Sequence, residues 1–161
     1  MLVKVGIMDE KLKDLCSAIY VGLAMTTLEV LREEMGLARA IETGSKTWQR
    51  FGTYIAPILE EAYGLTEKNI PNIVEMLNTF LKDVLCFEAS ITESSDTKGM
   101  ITVKPCFEWT KFKEKRLPPL CYRLCYPMIE SIVKQLNMDI NFQPGAQLRQ
   151  GADRCELVLT K

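Results

Sequence analysis

The chain has 161 residues, 47% of them hydrophobic and 25% charged, with a net charge of −1 and no histidine. This length suits one domain, residues 1–161, able to bury roughly two-thirds of its unfolded surface. The near-neutral balance offers no footprint for nucleic acid or an anionic membrane, and the missing histidine excludes Ser-His-Asp triads, Cys-His pairs, zincin helices and histidine-ligated haem.

The first residues, MLVKVGIMDEKLKDL, lack the apolar core of a secretory signal, and no apolar run reaches the ~20 residues of a membrane span. A cytoplasmic location is expected. From 9 to 34 the residues Leu12, Leu15, Cys16, Ile19, Leu23, Leu28 and Leu31 fall on helical spacing, with Gly36 as a stop. A second helix is predicted over 37–63, ending at Gly64, with Pro57 expected to kink or restart it. Along it Ala40, Gly44, Trp48, Gly52 and Ala56 recur every four residues. That stripe has two readings. One is close helix packing, the usual reason for a glycine inside a helix; the other is a ligand groove in which missing side chains leave room beside Trp48 and Tyr54.

Pro71 suits the first turn of a third helix, with Ile73, Leu77, Phe80, Leu81 and Val84 on one face. The period then changes to two. Phe87, Ala89 and Ile91 alternate with polar residues, as do Ile101 and Val103, and SSDTKG between them reads as a hairpin loop. The basic-aromatic stretch CFEWTKFKEKRLPP could hold an acidic ligand or RNA, but with Glu108 and Glu114 inside it the favoured reading is a solvated short helix. A further helix over 119–136 carries Leu120, Leu124, Met128, Ile132 and Leu136. Two strand patterns, DINFQPGAQLRQ and CELVLTK, close the chain around the turn GADR. Strands paired by short loops, with helices in blocks, predict an α+β domain: helices on one face of an antiparallel sheet of about four strands.

In the absence of a glycine-rich phosphate loop or dinucleotide fingerprint, the six cysteines are the chemically suggestive residues. Cys121 and Cys125 share a helix face; Cys106 ends a predicted strand and Cys155 opens the last one. If the four meet, four thiolates suit a structural zinc or an iron-sulfur cluster. The other readings are thiol chemistry and plain packing, since cysteine is commonly buried as a small hydrophobe. Arg123 turns about 200° away from Cys121 on the helix.

The segment CYPMIESIVKQLNMDINFQPGAQLRQGADRCELVL, and in it the turn Gly151-Ala152-Asp153-Arg154-Cys155-Glu156-Leu157, resembles the closing part of the 4-vinyl-reductase, or hydrocarbon-binding, domain family. A related branch, similar to L-2-amino-thiazoline-4-carboxylic acid hydrolase, has a Cys-Pro-Trp-like motif for which Cys106 and Trp109 are a loose counterpart. The resemblance implies a stand-alone ligand-binding domain, a homodimer, holding a small hydrophobic or aromatic molecule between helices and sheet. Gly44, Trp48, Gly52, Tyr54, Phe87 and Trp109 are the expected lining. The alternative is a thiol- or metal-dependent hydrolase or reductase of a small heterocycle, with Cys106, Cys121, Cys125 and Cys155 as the metal-holding or reactive set.

Overall fold

A computed structural model describes residues 10–85, 87–104 and 121–161. Helix α1 spans Glu10–Met35 and α2 spans Leu37–Ala62. A single residue, Gly36, joins them. Its φ of 78° lies where a side chain is strained and glycine is not, so its N–H closes α1 on the Arg32 carbonyl (2.9 Å) while its own carbonyl accepts from Ala40 to start α2 (3.0 Å). Helix α2 continues through Pro57 without the restart that was one of the two expectations there. The carbonyl that loses its donor there belongs to Thr53, and both residues are exposed, so water can satisfy it.

Helix α3, Ile70–Asp83, begins at Asn69, whose side-chain oxygen accepts from the Asn72 N–H at 3.0 Å, with Pro71 in the first turn. It buries Ile73, Leu77, Phe80 and Leu81, as its spacing predicts. Val84 falls after the last turn and is exposed. The fourth helix, α4, is Cys121–Leu136.

The strands are β1 (Ala89–Ser94), β2 (Lys98–Val103), β3 (Asn141–Pro144) and β4 (Cys155–Thr160). They form one antiparallel sheet in the order β1-β2-β4-β3. The last strand in the chain is therefore interior. Composition explains this: β4 buries Cys155, Leu157, Val158 and Leu159, whereas β3 is mostly exposed and ends in a proline that an edge tolerates. Part of the long DINFQPGAQLRQ pattern is not strand, since Leu148–Gln150 forms a 3-10 turn.

Helix α3 lies on β1 and β2, α4 lies against β3 and α2, and α1 packs on α2. One core joins Ile73, Leu77 and Leu81 of α3 to Met128, Ile129, Ile132 and Val133 of α4 and to Ile101, Leu157 and Leu159 of the sheet. The α+β expectation therefore holds, with four helices and an open four-stranded sheet among the described residues.

Glu156 fastens the edge strand to the interior one. Its carboxylate accepts from the Ala146 backbone N–H (3.0 Å) and from Arg154 Nε (2.8 Å). Those two bonds, the backbone donor first, hold its pKa below the ordinary glutamate range. A depressed folded-state pKa means that the unfolded chain takes up the proton first. The stabilisation is thus complete above the ordinary range and is lost as pH falls through the folded value. Glu156→Gln is expected to cost about 1 kcal/mol near neutrality and to flatten the acid limb of stability. Urea midpoints from pH 7 to pH 3 check this, and an unchanged acid limb would contradict it.

Candidate functional site

Helices α2 and α4 cross in close contact. A Cβ at Gly52 would fall 2.3 Å from the Met128 carbonyl oxygen and 3.0 Å from Ser131 Cβ. Glycine is what allows this approach. Two turns earlier the same stripe opens out: a Cβ at Gly44 would stand 3.3 Å from Leu124 Cδ2, an adaptable side-chain end.

Beside Gly44 lies a cavity of about 270 Å³. Leu23, Ala24, Thr27, Leu28 and Leu31 of α1 form one wall; Gly44, Thr47, Trp48 and Phe51 of α2, with Leu124 of α4, form the other. No charged residue lines it among the described residues. Trp48 and Phe51 meet edge to face, with centroids 5.6 Å apart at 84°. Of the two lining hydroxyls, that of Thr47 is donated to the Thr43 carbonyl at 2.9 Å, so it presents lone pairs rather than a proton. The cavity opens to the surface, because Leu23 and Phe51 line it and are also exposed. Among the described lining there is no thiol, carboxylate or amine to serve as nucleophile or acid-base group.

The sequence-predicted lining is dispersed. Gly44 and Trp48 border the cavity, and Gly52 lies under the helix crossing. Tyr54 is 68% exposed on the outer side of α2. Phe87 is buried in the main core, next to the sheet. Trp109 lies outside the described residues, as does the whole basic-aromatic stretch. Core side chains pack between helices and sheet, and the uncharged cavity described above lies among three helices.

Cys155 is buried on β4 opposite Val103, and Cys125 is half-buried against the main core. Cys106 and the side chain of Cys121 lie outside the described residues. Among the described residues, no group of three His, Cys, Asp or Glu side chains is arranged to hold a metal ion. Arg123 is exposed, in keeping with its position on the helix.

The α1 wall was not legible from periodicity. The apolar stripe of α1 predicts burial of Leu15, Ile19 and Leu23, yet these are 53%, 59% and 69% exposed. Only Met25 and Leu28 of its described side chains are buried, in a small cluster with Ala40 and Leu124. The available signal was that residues 15–28 carry no charge at all, so an apolar face remains whichever side docks. No helix among the described residues is long and apolar enough to cross a membrane.

No protein-family model matches the sequence, and no curated protein is similar to it. Solved structures do share its architecture. Trafficking protein particle complex subunit 3 from Naegleria fowleri, covalently bound to palmitic acid, superposes with a TM-score of 0.61 at 16% identity, over 94% of this chain and 96% of that one. The phenol-responsive sensory domain of the transcription activator PoxR, with phenol, gives a TM-score of 0.64 at 13% identity, over 87% of this chain and 73% of that one. At such identities the likeness establishes a shared α+β fold, one that other proteins use with a small hydrophobic molecule bound.

Proposed function

We propose that the chain is a binding domain that holds a small, neutral, apolar or aromatic molecule in the cavity among α1, α2 and α4. The observation that carries this is a cavity of about 270 Å³ whose described lining holds no charge. An engineered apolar cavity of about 150 Å³ takes up benzene, so this one has room for two fused rings or a short branched chain. The phenol and palmitic acid bound by the two structural neighbours support the same class of ligand. Calorimetric titration with 1-naphthol is expected to give one site, a negative heat-capacity change and a raised melting temperature. A series of bicyclic and alkyl-substituted arenes that gave neither heat nor a melting shift would overturn the reading.

A second reading, compatible with the first, is an assembly surface for another copy of the chain. Leu15, Ile19, Leu23 and Val30 on α1 and Phe51, Tyr54 and Ile58 on α2 are all exposed, and apolar surface grouped in this way marks association sites. A two-fold pair would use the same face on both copies. Leu23→Glu is then expected to shift the sedimentation profile from dimer to monomer. A wild-type protein that remains monomeric at high micromolar concentration would remove this reading.

A further inference from the structure

The two walls of the cavity are held very differently. The α2–α4 wall is locked by the backbone approach at Gly52 and is continuous with the main core, to which Trp48 also packs. The α1 wall belongs to a helix of 26 residues whose described side chains include only two buried ones, Met25 and Leu28. Their cluster, with Ala40 and Leu124, meets the main core through the partly buried Trp48, which packs against both. Leu28 and Leu124 serve both purposes, since they anchor α1 and line the cavity. The helix is joined to α2 through Gly36 alone, where an added Cβ would meet none of the described residues within 4 Å, and beyond the joint the Thr43 hydroxyl donates to Met35 Sδ at 3.5 Å. Where a loosely held element and a rigid one share a cavity, the contacts of an occupant form only while that element is docked.

We propose that α1 is the regulated element of this site: filling the cavity strengthens the docking of α1 on α2 and α4, so that occupancy is reported by the exposed face of α1. This rests on the cavity being a ligand site, and it assigns to α1 a role that binding alone does not require. The contacts divide accordingly. Five of the lining residues come from α1, and an occupant would add partners to Leu23, Ala24 and Thr27, none of which is buried.

Hydrogen exchange on the full chain tests it, with 1-naphthol as the probe. Without the probe, amides of residues 15–35 are expected to exchange through local opening, well before those of α3. At a free probe concentration ten times the dissociation constant, their exchange should slow about elevenfold, the factor by which occupancy multiplies the closed state. Binding that raises the melting temperature but leaves the exchange of α1 unchanged would overturn the inference. Should 1-naphthol not bind at all, the ligand reading fails, and a second arm still decides the role of α1. Ala24→Leu, which fills the cavity from the α1 side, is expected to slow the same amides with no probe added; unchanged or faster exchange would sink the coupling.

Discussion

Gly52→Ala is expected to lower the stability of the whole domain by about 2–3 kcal/mol. Two effects oppose each other. In a helix interior alanine gains about 1 kcal/mol over glycine. Against that, the new Cβ would sit 2.3 Å from the Met128 carbonyl oxygen and 3.1 Å from its carbonyl carbon. These are backbone atoms inside α4, and they cannot rotate away as the end of a leucine can. Relief requires the two helices to separate, which loosens the packing of Met128, Ile132 and Ile55 in the main core. Overpacking therefore wins. The companion substitutions give the argument its control. Gly22→Ala, with none of the described residues within 4 Å of the added carbon, should stabilise by up to about 1 kcal/mol. Gly44→Ala, facing only the movable Leu124 Cδ2 at 3.3 Å, should be close to neutral. Urea midpoints at constant slope measure all three. Equal effects at Gly22 and Gly52 would show that the crossing is looser than its geometry implies.

The second large effect is expected in ligand discrimination. 1-Naphthoate should bind at least about a hundredfold more weakly than 1-naphthol, since an unpaired buried carboxylate costs several kcal/mol. Two rings of the same size bear the two groups, so the apolar contribution cancels. The described lining supplies no cation, and the Thr47 hydroxyl has already donated its proton to Thr43. That oxygen can accept from a neutral hydroxyl but has no second proton to give a carboxylate. Parallel titrations of the two compounds at pH 7 decide the point. Equal affinities would place the bound ring outside the cavity or the charged group in bulk water.

How much of this was legible in the sequence follows from the range of the interactions involved. Helix boundaries at Gly36 and Gly64, the Pro71 start of α3 and the hairpin after Phe87 are set by local backbone preferences and short-period alternation, and they were readable within a residue or two. The α+β class followed from the order of those elements. The stripe Ala40-Gly44-Trp48-Gly52-Ala56 was visible too, along with its two readings. Periodicity shows that such positions share a face but not what faces them. The fold divides the stripe, with backbone pressed on Gly52 and open space beside Gly44.

The sequence by itself determined the kind of elements, their order, the absence of histidine chemistry and the concentration of uncharged residues in α1. Only the tertiary structure decided that β4 enters the sheet between β2 and β3, that Phe87 is core while Tyr54 is surface, and that an uncharged cavity opens among α1, α2 and α4. The reason is physical. Secondary structure is chosen by interactions a few residues apart, whereas a cavity is the volume left over when whole elements cross, and its walls here come from α1, α2 and α4, segments up to a hundred positions apart in the chain.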